Sequence, residues 1–251
     1  MLTSVRRVLR RLSSRSSQSE TREPDIKFVI FCQGRTGSSL LRSLLNNHPD
    51  VRCEGEILAE PVADPIQFLA ATAAGSAKAV FGFKVKIYQL TDAQNTDPRV
   101  FLDQLRDRSY KIIYLRRNNL LRHAISNTFA EARRSYHDRS TGPRPSLAVD
   151  PEQLIGVMQR RQAHLDNEAV VLGGFDYLTI EYEKDLLDPA QHQPTADRVF
   201  GFLGVEPVSV GTDLSRSVSG SLSDRIANYD ELVAALAGTE FDRFLDDPAY
   251  G

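Results

Sequence analysis

Residues able to do chemistry gather in three short stretches. In the first, FVIFCQGRTGSSLLRSLL (28–45), an apolar run passes through a glycine-bounded loop carrying Arg35, Thr36, Gly37, Ser38 and Ser39 into paired leucines. A strand that enters a helix through glycines builds an anion site, because the first helical N–H groups have no intrahelical partner. Phosphate is therefore the first ligand to consider. The nucleotide-triphosphate loop, G-x-x-x-x-G-K-[ST], is only partly met: Ser38 stands where its lysine belongs and Cys32 where its first glycine belongs. The second stretch, KIIYLRRNNLLRHAIS (111–126), is a buried-looking strand that delivers Arg116 and Arg117 to its C-terminal end, where open α/β sheets place ligands. The following helix buries Leu120, Leu121, Ala124, Ile125 and Phe129, leaving Arg122 and Ser126 together one turn apart as a second anion pocket. The third stretch, DVRCEGEIL (50–58), sets Glu54 and Glu56 just after a short strand, beside the glycine loop if the sheet is parallel.

These groups need a scaffold, and the patterning supplies one. Segments rich in β-branched and aromatic residues at 26–32, near 51–53, and at 79–87, 110–116 and 175–181 read as strands. Helical patterns fill the gaps at 38–47, 64–74, 98–107, 118–134, 151–169, 194–203 and 229–237. The alternation is that of an α/β protein with a parallel sheet. Residues 135–150 carry turn formers without a period and read as a loop, as does LSRSVSGSLSDRI (214–226).

With 251 residues, 41% hydrophobic and 25% charged, the chain has the composition of one globular domain, expected over 25–251. A net charge of −2 argues against bulk binding of nucleic acid, so any cationic site must be local. Two cysteines, Cys32 and Cys53, indicate neither a disulfide framework nor a zinc cluster, and suit a reducing, cytoplasmic setting. The five histidines, 48, 123, 137, 164 and 192, lack metal spacing; His123 is expected to face solvent, and His137 falls in the long loop at 135–150. Residues 1–24 form a basic tail with five arginines and one acid in the first 20 positions. It is expected to be a solvated, disordered segment, with peripheral contact to an anionic membrane surface or a transit peptide as alternatives. No run of about 20 apolar residues is present to cross a bilayer.

Two phosphate-type sites without a Walker lysine, next to a carboxylate, resemble the sulfotransferase family, whose donor is 3′-phosphoadenosine 5′-phosphosulfate. GRTGSSLLRSLLNNHPDVRCEGEIL is similar to its 5′-phosphosulfate loop and the HP-x-V-x-C-x-x-E stretch of tyrosylprotein and bacterial carbohydrate members. Gln33-Gly34 replaces the family's usual proline context. LRRNNLLRHAIS resembles the 3′-phosphate motif, with Arg117 and Ser126 at the spacing of the trehalose and nodulation-factor branch. TIEYEKDLLDPAQHQPTADRVFGFLGVEP resembles the family's Y-E-D-L strand end and helix, and IANYDELVAALAGTEFDRFL its bacterial C-terminal segment.

The resemblance implies a P-loop-like, three-layer α/β/α fold around a parallel sheet of about five strands, and in-line sulfuryl transfer without a metal. It implies that the backbone of Arg35 to Ser39, including Thr36 and Gly37, cradles the 5′-phosphate. Arg35 would neutralise the phosphosulfate, while Ser38 and Ser39 donate hydroxyl bonds. Arg117 and Ser126 would hold the 3′-phosphate, and Arg216 would lie near the donor. Glu56 is implied as the general base, with Glu54 as its rival and a pairing of either with Arg52 as the plain alternative. Of Lys84 and Lys86, only one is expected to face the site; Lys84 is favoured, against a solvated edge-strand lysine. The acceptor implied is a carbohydrate, glycolipid or lipid-linked hydroxyl, the last at the inner face of the membrane. A P-loop-type nucleotide kinase and an inactive nucleotide-binding module stand as the other readings.

Overall fold

The computed structural model describes residues 23–136, 146–214 and 221–246. Strands β1 (Ile26–Cys32), β2 (Val51–Cys53), β3 (Val80–Val85), β4 (Tyr110–Arg116) and β5 (Tyr177–Glu181) form one parallel sheet in the order β2-β3-β1-β4-β5. Helices α1 (Ser38–Leu45), α2 (Pro65–Ala74), α3 (Pro98–Arg106), α4 (Leu120–Tyr136), α5 (Pro151–Leu172), α6 (His192–Leu203), α7 (Leu222–Arg225) and α8 (Tyr229–Leu236) connect and cover it. The expected three-layer α/β/α arrangement is therefore present.

Central β1, IKFVIFC, lies between β3 and β4 and is covered by helices on both faces, so its apolar run needs no polar alternation. On one face Phe28, Ile30 and Cys32 pack against α1 through Leu41, Leu44 and Leu45 and against α6 through Val199 and Phe200. On the other, Val29 and Phe31 meet Leu69 of α2, Phe101 and Leu105 of α3, and Leu172 of α5. Gly82 of β3 makes room for this packing, since an ideal Cβ there would lie 2.2 Å from the Phe28 ring. A third cluster joins α4, the start of α5, α7 and α8 through Leu121, Leu154, Leu222 and Leu232. Both cysteines are free and buried; desolvation pushes the Cys32 thiol up to about 11 and Cys53 up to about 12.

The helices start where their chemistry says. Asp64, Asp97 and Asp150 each precede a proline and accept first-turn N–H groups at the starts of α2, α3 and α5. Other boundaries differ from the sequence expectation. Strand β3 stops at Val85 rather than 87, because the Lys86 N–H turns to Gln89 Oε1 at 3.0 Å and the chain enters a π-helical turn, Gln89–Ala93. Strand β5 begins at Tyr177 rather than 175, after Gly174 takes φ 78 and α5 has run on to Leu172. The stretch read as loop at 214–226 contains α7, capped by Ser221 Oγ on the Ser223 N–H at 3.2 Å and too short to show a period. Leu147 bridges to Ile226, tying the end of the long loop to that turn. His137, Arg216 and nearly all of the basic tail lie outside the described residues.

Candidate active site

The chain runs from β1 to β2 and β3 on one side of the sheet and then to β4 and β5 on the other, so its direction reverses at β1. The crevice at the carboxyl end of β1 is where such sheets bind ligands. The first motif sits there. Arg35 takes φ 69 and Gly37 φ 88, which bends the chain sharply into α1. An ideal Cβ on Gly37 would lie 2.7 Å from the Tyr182 ring, so both conformation and space require glycine. Thr36 is buried, its hydroxyl donating to Gln33 O at 2.8 Å and closing the loop on itself. Gly37 caps α1 without a side chain, so the first-turn N–H groups face the loop's concavity with Ser38 and Ser39 among them.

Lys84 occupies the floor of the site. Only 7% exposed, its Nζ lies 3.1 Å from Ser39 Oγ, 3.5 Å from Ser38 Oγ and 3.2 Å from Glu56 Oε1. It is not a solvated edge-strand lysine: β3 is an inner strand, and beyond the end of β2 the Lys84 N–H is taken by Gly55 O at 3.3 Å. Nor does only one lysine face the site: Lys86 Nζ reaches Glu56 Oε2 at 2.5 Å. Two residues apart in extended chain share a face, so the pair converges on the carboxylate. Gln89 Nε2 adds a third donor at 3.1 Å. Burial pushes Glu56 up, but the hydrogen bond and charge of Lys86, then those of Lys84, outweigh it and hold the carboxyl below its usual range. Glu54 turns away and pairs with Arg52 at 2.6 Å.

The second motif meets the first. Arg117 Nη1 donates to Arg35 O at 3.3 Å, and Arg35 Nε donates to Ser126 Oγ at 3.2 Å. Tyr182 places its ring 4.5 Å from the Arg117 guanidinium, and Glu183 Oε1 lies 3.7 Å from Arg117 Nε. The same Glu183 carboxylate accepts the N–H groups of Asn118 and Asn119 at 3.0 and 3.1 Å ahead of α4. Arg122 sits partly exposed on α4, whereas Ser126 is buried.

His123 is the plainest correction. Expected to face solvent, it is 1% exposed, and its Nε2 lies 2.6 Å from Gly34 O. The outer side of α4, judged only from its apolar stripe, packs on the glycine loop. Burial, followed by the charges of Arg161 and Arg117, holds the ring well below its ordinary value and therefore neutral. Behind the loop, Gln33 Nε2 donates to Glu168 Oε2 at 3.4 Å, Arg161 Nη1 donates to Gln33 Oε1 at 3.3 Å, and Tyr114 Oη donates to Glu168 Oε2 at 3.0 Å. Burial raises the Glu168 carboxyl to about 7 against these hydrogen bonds. Arg161 and Glu168, seven residues apart on one face of α5, were visible in the sequence as polar positions at a helical period. Gln33, Lys86 and Gln89 carried no comparable signal.

No protein-family model matches the sequence, and no curated protein does. Three solved structures are similar to the chain. The sulfotransferase domain of the Synechococcus PCC 7002 olefin synthase matches 84% of this chain and 84% of its own at 18% identity and TM-score 0.43. The sulfotransferase domain from the curacin biosynthetic pathway matches 82% of this chain and 80% of its own at 18% identity and TM-score 0.45. A sulfotransferase from Alicyclobacillus acidocaldarius matches 89% of this chain and 96% of its own, at 19% identity and TM-score 0.51. The chain has a sulfotransferase fold. Within that fold, the loop of Gly34–Ser39, the Arg117–Ser126 segment and Glu56 meet at one end of the sheet. Among the described residues, no group of three or more His, Cys, Asp and Glu is placed to hold a metal ion, and no helix is long and apolar enough to cross a membrane.

Proposed function

We propose that the chain is a sulfotransferase that uses 3′-phosphoadenosine 5′-phosphosulfate and passes its sulfuryl group to a hydroxyl of a carbohydrate or lipid-linked sugar, without a metal. The observation that carries this reading is the junction of the two motifs, Arg117 on Arg35 O and Arg35 on Ser126 Oγ, with Glu56 tied to the same loop through Lys84. One nucleotide with phosphates at both ends fits two adjoining anion cradles better than a triphosphate fits one. The residues present suit such a donor: uncapped N–H groups at the start of α1, hydroxyls at Ser38, Ser39 and Ser126, and cations at Arg35, Lys84 and Arg117.

Bound, the donor supplies a sulfuryl group on an acid-anhydride oxygen, which leaves with the bond's electron pair as 3′,5′-adenosine bisphosphate. The N–H groups from Arg35 to Ser39 orient its 5′ end, and Arg117 with Ser126 anchors its 3′-phosphate. Lys84, already bridging Ser39 and Glu56, lies where negative charge grows on the transferring group. Glu56 takes the acceptor's hydroxyl proton as that oxygen bonds to sulfur. An anionic donor also competes for Lys84, which loosens its grip on Glu56 and makes the carboxylate a stronger base. We assign this activity to the cytoplasm, at the inner membrane face when the acceptor is lipid-linked, with the basic tail as the contact.

The test is thermal and chemical. Without added metal, 3′,5′-adenosine bisphosphate raises Tm, whereas ATP with magnesium does much less; at one hundred times Kd the gain is about 2.7 kcal/mol. The opposite preference favours a nucleotide kinase. Radiolabelled donor incubated with glycan and lipid extracts, beside Glu56→Ala, identifies the acceptor; binding without transfer to any fraction favours an inactive nucleotide-binding module.

A further inference from the structure

The two peptide units that flank Gly34 are each held by a side chain. The Gly34 N–H donates to Tyr88 Oη at 3.2 Å, and the Gly34 carbonyl faces His123 Nε2 at 2.6 Å. A carbonyl can only accept, so Nε2 carries the proton. With the ring neutral, Nδ1 is bare, and it has no hydrogen-bond partner among the described residues. Protonating Nδ1 would put a third positive group beside Arg161 and Arg117, so the tautomer is fixed by its surroundings.

Neither contact comes from the loop's own neighbours in sequence. Tyr88 stands on the turn after β3, just past Lys86, whose Nζ lies 5.5 Å from the centre of the Tyr88 ring; the His164 ring lies 5.5 Å from the same ring, tilted by 45°. His123 comes from α4, three residues before Ser126. The grip also explains the glycine. A Cβ at Gly34 would lie 2.9 Å from Tyr88 Oη and push the phenol away.

We propose that His123 and Tyr88 are positioning residues for donor binding: Tyr88 fixes the peptide unit before Gly34 and His123 the one after it, and together they aim the N–H groups that follow toward the donor's 5′ phosphate. This deepens, and rests on, the sulfotransferase reading. A peptide free to rotate at the head of an anion loop spends part of its time with a carbonyl facing the ligand, which repels it. Each of the two peptide units flanking Gly34 is held by one bond, so neither turns without breaking it.

The full chain carries the test in four forms: wild type, Tyr88→Phe, His123→Phe and His123→Gln. Gln keeps an amide nitrogen where His123 has Nε2, whereas Phe keeps the bulk and removes the donor. Tyr88→Phe removes only a hydroxyl, so it stays folded even if a His123 variant does not. In the ligand-free protein, Tyr88→Phe and His123→Phe speed amide exchange of residues 34–39 by about fivefold each, with β3 unchanged, as expected for one lost hydrogen bond. Binding of 3′,5′-adenosine bisphosphate weakens by a similar factor, and with labelled donor KM rises while kcat holds. His123→Gln restores both values. Nitrogen-15 NMR of wild type shows a protonated Nε2 and a bare Nδ1. Unchanged exchange in Tyr88→Phe and His123→Phe, or a failure of His123→Gln to restore protection where His123→Phe loses it, overturns the proposal. Should wild type ignore the bisphosphate, the sulfotransferase reading falls, yet the exchange rates still decide whether the two peptide units at Gly34 are clamped.

Discussion

Glu56 has two lysines and an amide for company, and its usefulness as a base depends on how tightly they hold it. A carboxylate kept below its usual range stays ionised in acid, so it loses its proton-accepting role only at low pH. The acid limb of kcat/KM therefore falls below the ordinary carboxylate value of 4.5, and Lys86→Met moves it upward. Glu56→Gln lowers kcat by about 10²–10⁴-fold while affinity for 3′,5′-adenosine bisphosphate stays within about threefold, as steady-state kinetics beside calorimetry would check. Loss of both together would assign Glu56 to donor binding instead. Glu56, Arg35, Arg117 and Ser126 were legible in the sequence as candidates because motif spacing places them, whereas Lys84 rested on its position in the family resemblance. His123 was not, since an apolar stripe says which side of a helix meets the sheet and nothing about what covers the other side. The two lysines on Glu56 were misjudged for a simpler reason, the pairing of alternate residues on one strand face.

Helix α5 anchors its last turns through Glu168, a carboxyl without any exposure, facing Tyr114 of β4, Gln33 of the loop and the nearby Arg161. Raised from 4.5 to about 7, it holds its proton more tightly in the folded chain than in the unfolded one. Its contribution to stability is thus complete below pH about 4.5, shrinks as pH rises toward about 7, and is lost above that, a difference on the order of 3 kcal/mol. Glu168→Gln carries no such charge. The variant should melt several degrees higher than wild type at pH 8 and little differently at pH 5, as calorimetry across that range would show. A lower Tm at pH 8 would mean that the ionised carboxylate is stabilised by Arg161 rather than burdened by its burial. At this scale, the long elements were readable, whereas their ends, the four-residue α7 and the π-helical turn after β3 were not. Runs such as AVFGFKVKI announce a strand, but the Lys86–Gln89 bond that ends it belongs to side-chain geometry.

Across the whole molecule, the parallel α/β class followed from the alternation of strand and helix patterns, whereas the order β2-β3-β1-β4-β5 did not. Crossover lengths say that strands are parallel; they do not say on which side of β1 each one is added. That order nevertheless locates the site, because only a reversal at β1 brings the Arg117–Ser126 segment beside the Gly34–Ser39 loop. The same central position of β1 has a further effect on Cys32, and β2 packing does the same for Cys53: both sulfurs sit inside one layer of the fold, largely undissociated. A maleimide therefore finds nothing to alkylate in the native protein and two sites once the sheet comes apart. Mass added per chain should appear as zero or two labels with scarcely any singly tagged species, which makes the pair a built-in gauge of how often the entire domain opens.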